Sequence, residues 1–320
     1  MIHVAKRLLH GLLLLIGISL LSFVFAELAP GDYFSEMRTD ARVSPETLAG
    51  LRAQYGLEQP LPVRYGRWVR SVLHGDFGYS LAYQGPVAPL LRERVRGTLL
   101  LTITATFLAW IVALPLGIWQ ATQRGTWRDG FLRAAAAFLL TIPELLLAIV
   151  LLVRAAETGW LPVGGMLSPS ATAGNSADRA RDIVWHMVLP VAVLVWGMLP
   201  VLLRHIRATM GETLDAPFAV SARAHGIPRL RLLYRHLLPA AMNPLVSLFG
   251  FSLGTLPSAS LLVEVVTGWP GIGPLFLDAI MARDFAVVVA VVVLSASFLI
   301  AGNLAADLIL YRIDPRIRAK

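Results

Sequence analysis

Six apolar stretches, separated by polar or basic segments, set the rhythm of the chain. They run from about Leu8 to Leu28, Gly97 to Gln120, Ala134 to Val153, Ile183 to Leu203, Leu238 to Val263 and Phe285 to Leu310. Each reaches about 18 residues or more, which is what a helix needs to cross hydrocarbon. The stretch Ala286 to Leu294 is valine-rich and could pass for a strand, but its continuation to Leu310 makes it a helix. Pro115, Pro143, Pro190 and Pro200 fall inside spans, where neighbouring helices can satisfy the carbonyls that proline frees. The first span follows Lys6 and Arg7. Its length, and the poor cleavage site at Ala29-Pro30-Gly31-Asp32, mark it as retained rather than as a signal peptide.

The polar segments predict their own elements. Between the first two spans, Ser44 caps a short helix with Pro45 at its first position, and Gly56 ends it. A second, amphipathic helix from about Pro62 to Leu73 carries Tyr65, Trp68 and Val69. Gly75-Asp76-Phe77-Gly78-Tyr79-Ser80 reads as a turn. This segment has nearly balanced charge and reads as a structured external loop. The stretch from about Ala155 to Asp182 is a loop rich in Gly, Ser and Pro.

Asp215 to Pro239 is the most informative polar stretch. Asp215 can cap a helix and Pro217 suits a first turn. Gly226 ends that helix in a left-handed turn, and Pro228 opens the next. Phe218, Ala222 and His225 share one face by spacing. A small apolar face of this kind suits a groove on a partner protein. The alternative is an ordinary connecting loop.

Composition sharpens the picture. The 320 residues are 56% hydrophobic and only 15% charged, which excludes a soluble globular chain and defines an all-α integral membrane protein. The net charge of +8 points to inward-facing loops and anionic lipid rather than to nucleic acid. With the N-terminus inside, Lys and Arg are roughly twice as dense on the predicted inner side, and Asp215 to Pro239 falls in the cytoplasm. With no cysteine, there is no disulfide framework and no thiolate metal site.

Lys6 and Lys320 are the only lysines, and no glycine-rich phosphate loop precedes either, so no Walker-type ATP site exists in the chain. The seven histidines show no metal-ligand spacing, and there is no Gly-x-Ser-x-Gly elbow. Neither a catalytic residue nor a bound cofactor or metal is expected. Glu144 and Asp307 lie within spans, where a polar pathway or an interhelical hydrogen bond would account for them. The interhelical bond is favoured. Glu264, at the outer end of the fifth span, reads as interfacial.

Four motifs in register carry a resemblance. Ser221-Ala222-Arg223-Ala224-His225-Gly226 is followed, after nine residues, by His236-Leu237-Leu238-Pro239. Trp269-Pro270-Gly271-Ile272-Gly273 precedes Asp278-Ala279-Ile280 and Arg283-Asp284-Phe285. The stretches Leu51 to Trp68 and Gly75 to Ser80 complete the set. Together they resemble the permease subunits of ABC importers, in the dipeptide, oligopeptide and nickel branch. Three positions depart from the pattern: Val220 stands where the loop's signature Glu falls, Ser221 where its first Ala falls, and Glu144 where an uncharged residue is usual.

The resemblance implies a type I ABC importer permease fold, with six transmembrane helices and an external helical loop after the first. It implies a first helix plus external segment over 1–94, a transmembrane domain over 95–311 with a coupling loop at 212–239, and a cytoplasmic tail at 312–320. It implies a bacterial inner-membrane subunit, with both termini in the cytoplasm, that forms half of a pathway for peptides, nickel or related solutes. Its partners would be a second, homologous permease in a heterodimer, two ABC ATPase subunits that bind the ATP, an extracytoplasmic solute-binding protein and membrane lipid. Phe218, Ser221, Ala222, Arg223, His225, Gly226, Leu238 and Pro239 would form the ATPase-coupling loop. Glu264, Trp269, Pro270, Gly271, Gly273, Asp278, Arg283 and Asp284 would form the external loop motif. For Arg223, Arg229, Arg231 and Arg235 two readings stand: docking contacts, or markers of the cytoplasmic side. Two other classes compete. A stand-alone ion-coupled transporter would need matched halves and intramembrane acids. An intramembrane enzyme would need a nucleophile or metal constellation.

Overall fold

The computed structural model describes residues 2–28, 59–172 and 175–313, together with Glu46, Ala49, Gly50 and Ala53. Of the helix expected from Ser44 to Gly56 only those four residues are described, each of them helical, and the tail beyond residue 313 lies outside the described residues. The chain forms two compact units, one drawn from Met1–Thr98 and Pro270–Ser297, the other from Leu99–Trp269 and Phe298–Lys320.

In the first unit, α1 (Ile2–Leu28) is the first predicted span, and most of its apolar surface is exposed. Helix α2 (Leu61–Leu73) lies where the amphipathic pattern put it, with Pro60 ahead of its first turn. It packs on α1 through aromatic contacts: Phe23 meets Tyr65 and Trp68 at ring separations of 5.6 Å. Tyr65 also hydrogen-bonds Ser19 at 2.9 Å. The predicted turn leads into a two-residue hairpin, β1 (Tyr79–Ser80) against β2 (Gly85–Pro86). Helix α3 (Val87–Thr122) begins directly after it.

The second unit is built around a long helix. Two short helices, α4 (Trp127–Thr141) and α5 (Glu144–Thr158), come after α3. A single turn of helix, α6 (Pro169–Thr172), precedes α7 (Ser176–Asp215), which Asn175 caps by accepting from the N–H groups of Ala177 and Asp178. Pro190 and Pro200 sit inside α7 without breaking it. Beyond α7 come α8 (Pro217–Ala224), α9 (Arg229–Leu232), a π-helical turn Leu233–Leu237, α10 (Leu238–Ala259) and α11 (Leu261–Val266). Helix α12 (Ile272–Met281) belongs to the first unit, and α13 (Phe285–Ile313) follows it. One buried cluster joins α3, α7, α8 and α10 through Ala109, Trp110, Leu202, Ile206, Met210, Ala219 and Leu245.

The third span differs from expectation. Instead of one helix from Ala134 to Val153, the chain bends by 84° between α4 and α5. The reason is local. Pro143 lacks an N–H, and it drives Ile142 into an extended conformation, ψ 113°. Among the described residues, five helices are therefore long and apolar enough to cross a membrane, or six if the bent pair counts as one crossing. Trp127 and Trp160, both highly exposed, stand near the two ends of that pair, as interfacial aromatics do.

Helices α10 and α13 cross at bare backbone. A Cβ at Gly254 would lie 2.8 Å from the Cα of Leu299, and one at Gly302 would lie 2.6 Å from the carbonyl oxygen of Gly250. In lipid there is little hydrophobic drive between helices, so close packing over small residues holds such a crossing together. Gly302→Leu should destabilise the protein by about 1–3 kcal/mol through overpacking. Thermal unfolding in detergent checks this, the expected result being a lower midpoint than that of the unsubstituted chain.

Candidate functional site

The stretch Asp215 to Pro239 folds as an elbow. Ala216 is extended because a proline follows it, and Pro217 starts α8 at its first position. The helix ends at His225, and Gly226 takes φ +75°, the left-handed conformation that a side chain resists. The N–H groups of Gly226 and Ile227 close the turn on the carbonyls of Arg223 and Ala222, at 3.0 and 3.2 Å. The Nδ1–H of His225 donates to the carbonyl of Ser221 at 2.8 Å. Arg223 turns back along the elbow and donates to the carbonyls of Leu214 at 2.6 Å and Ala219 at 3.3 Å.

The elbow has an inner and an outer face, and the division differs from the spacing argument. Ala222 does not share a free face with Phe218 and His225. It packs inward with buried Ala219 against the cluster around Ile206, because α8 is anchored to α7 on that side. The outward apolar residues are Phe218 and Val220 on α8, with Leu230 and Tyr234 from the second limb. Leu232 and Leu237 hold that limb to the core, Leu238 packs beside them, and Pro239 opens α10 at the surface. The outward use of Val220, Leu230 and Tyr234 was not anticipated.

The second group of candidate residues divides between the units. In the second unit, Trp269 is fully buried beside Val263 and Leu256. Glu264, expected at the interface, is also fully buried, and it accepts a hydrogen bond from Ser260 at 3.0 Å. The short helix α11 turns it inward, away from lipid and water. In the first unit, Gly271 caps α12, and the N–H of Ile272 donates to Thr98 Oγ1 at 2.8 Å. Gly273 is buried beside it, and Pro270 is half-buried at the start of this unit.

Two motifs far apart in sequence meet in the first unit. Buried Ser80, from the Gly75 to Ser80 turn, donates to Asp284 Oδ2 at 2.6 Å, and the Ala82 N–H adds a bond at 3.1 Å. Asp284 also accepts from the Val287 N–H at 3.4 Å, which caps α13. Arg283 is exposed, with φ 55°, an uncommon conformation that turns the chain into α13. Tyr83 donates to Asp278 at 3.0 Å. Burial, and then the adjacent Asp278 carboxylate, push the Tyr83 phenol above its usual range.

Of the two intramembrane acids, Glu144 opens α5 just after the bend. Its carboxyl occupies the space where a side chain at Gly197 would stand. No described residue hydrogen-bonds it, so the interhelical bond expected there is not formed. Asp307 is half-buried on α13. Among the described residues no group of His, Asp and Glu is arranged to hold a metal ion.

Comparison with known proteins defines the class. The chain matches the family "binding-protein-dependent transport system inner membrane component" over residues 113–319, and the corresponding N-terminal family over residues 1–102. It is 33% identical to the oligopeptide transport system permease protein AppB of Bacillus subtilis over 317 residues, 98% of each chain. It is 34% identical to the dipeptide transport system permease protein DppB of Escherichia coli over 323 residues, 95% of each chain. A glutathione transport system permease protein, GsiC of Salmonella paratyphi A, is 32% identical over 319 residues, 99% of each chain. Inward-facing structures of the MetNI methionine ABC transporter include a chain of the same fold, with TM-score 0.55 at 20% identity, covering 70% of this chain and 96% of that one. The chain belongs to the binding-protein-dependent transport system inner membrane component family. It is a multi-pass inner-membrane permease subunit of an ABC importer.

The Tyr83–Asp278 contact has a pH consequence. A raised phenol pKa means that the folded state holds the proton more tightly. Its stabilisation is present below the unfolded value of about 10 and is lost as pH rises through the folded value. Asp278→Asn should move Tyr83 ionisation back towards the ordinary value. Phenolate absorbance, read as the difference from Tyr83→Phe, checks this.

Proposed function

We propose that the chain forms half of a peptide-conducting pathway and takes its drive through the elbow at Gly226. The observation that carries this reading is the set of exposed apolar residues on the elbow, Phe218, Val220, Leu230 and Tyr234, held by a glycine turn on a buried base. Exposed apolar residues on a polar, basic stretch suit a groove on another protein. A chain without a phosphate-cradling loop needs a partner to hydrolyse ATP, and two ABC ATPase subunits would fill that role. The second permease is a homologous chain in a heterodimer, and the solute arrives on an extracytoplasmic binding protein. The termini and the elbow lie in the cytoplasm, as the distribution of arginine favours.

In this reading Ser221, Ala222, Arg223, His225, Gly226, Leu238 and Pro239 shape and anchor the docking loop, and Phe218 contacts the ATPase. The residues Glu264, Trp269, Pro270, Gly271, Gly273, Asp278, Arg283 and Asp284 belong to the external loop. The segments 1–94, 95–311 and 312–320 act as the external segment with its span, the transmembrane domain and the tail. Peptides are the solute class because the full-length relatives named above are oligopeptide, dipeptide and glutathione permeases. An ion-coupled transporter that works alone is not favoured, since the family is binding-protein-dependent.

Gly226→Asp should abolish peptide uptake by the assembled transporter while leaving membrane insertion intact, because a side chain at φ +75° strains the turn and a carboxylate adds negative charge to a basic docking segment. Uptake into proteoliposomes, with the inserted chain quantified, checks this; normal uptake would refute the docking role. The purified chain alone should hydrolyse no ATP. A phosphate-release assay tests that, and activity that stays with the chain through further purification would overturn the division of labour.

A further inference from the structure

The elbow is not held by α7 alone. Three contacts tie the elbow and α7 to the junction between α3 and α4. Arg229, on the second limb, donates to the carbonyl of Thr122 at 3.1 Å. Arg124 pairs with Asp215, at the end of α7, at 2.6 Å. The third contact is buried. Asp129, 1% exposed in the first turn of α4, receives both arms of Arg207 from α7, at 2.7 and 2.8 Å. Gln120 donates to the same carboxylate at 3.3 Å, and the Gly125 N–H donates at 3.4 Å. Arg133 lies 3.7 Å away.

A forked pair of this kind fixes orientation as well as separation, since two parallel bonds resist twisting where one does not. The tip of α4 is therefore locked to α7, about two turns before the elbow begins. The far end of α4 is different. There the chain bends by 84° at Pro143, with Ile142 extended, so no helical hydrogen-bond ladder runs on into α5. Helix α4 is clamped by charge at one end and jointed at the other.

We propose that α4 is a second coupling arm, which carries displacement of the elbow to the bend at Ile142 and Pro143 and changes its angle. The inference rests on the elbow being the ATPase-docking segment. Asp129 and Arg207 act as positioning residues: they hold α4 to α7, the helix that leads into the elbow. A clamp that served only as a static staple would leave the bend at one angle throughout the transport cycle.

The natural absence of cysteine makes the test direct. In the complete transporter, with its ATPase subunits and binding protein, spin labels are placed at Arg128→Cys with Arg231→Cys, and separately at Arg128→Cys with Glu157→Cys. The first pair reports α4 against the elbow, and the second reports α4 against α5. Between the nucleotide-free and ATP-trapped states, the first distance should hold and the second should change. An unchanged second distance, or a first distance that shifts as far as the second, overturns the proposal.

Asp129→Asn should then lower the number of solute molecules carried per ATP hydrolysed by about tenfold, within the usual range of coupling between sites. Arg229→Gln, at the surface, should lower it less without threatening the fold. Ratios unchanged in both variants, in complexes that co-purify intact, would refute the role. If Gly226→Asp transports normally, the reading of the elbow fails. If Gly226→Asp is inactive but the α4–α5 distance is constant, only the arm fails.

Discussion

The bidentate pair between Asp129 and Arg207 is the constraint on which the second unit turns. A carboxylate with 1% exposure is costly unless its lone pairs are filled, and Arg207, Gln120 and Gly125 fill them. That requirement brings three elements to one point: the end of α3, the start of α4 and the body of α7. Thr126 caps α4 by accepting from the Asp129 N–H, so the same turn that starts the helix also aims its acid. The elbow projects from this junction. Its outward residues stay fixed because Ala219, Ala222, Leu232 and Leu237 hold the inner side to the core.

Elsewhere the membrane-spanning helices rely on closeness rather than charge. The crossing of α10 and α13 is set by Gly250, Gly254, Gly302 and Ala306, where backbone meets backbone. Even a methyl group at Gly250, Gly254 or Gly302 would meet the facing helix at under 3 Å and part the helices. This is dispersion gained at short range, in a setting where water supplies little drive. The bend at Pro143 is the counterpart. There the helix gives up continuity, and Glu144 sits at the break against Gly197.

In the first unit, Asp284 plays the part that Asp129 plays in the second. Ser80 and Ala82 donate to one of its oxygens, and Val287 donates to the other. One carboxylate thus closes a hairpin onto the start of α13 across a long stretch of sequence. Tyr83 and Asp278 add a second tie nearby. The two motifs are separate in sequence and form a single latch in the structure.

Much of this could be read directly from the chain. Apolar run length determined the long helices, because burial of the backbone in lipid demands helix wherever such a run occurs. Gly226 and Pro228 determined the elbow, since φ preference is a local property that needs no partner. The amphipathic helix near Trp68 and the turn at Gly75 followed from the same local rules. What tertiary structure alone decided was which polar groups meet. No spacing rule joins Ser80 to Asp284 or Asp129 to Arg207, because those pairings depend on where whole helices pack. Burial of Glu264 and the inward turn of Ala222 were decided in the same way. At Pro143 local chemistry supplies the break, but Pro190 and Pro200 lie inside α7 without breaking it, so residue type alone does not decide which proline ends a helix; that waits on the fold, where freed carbonyls either find partners or do not.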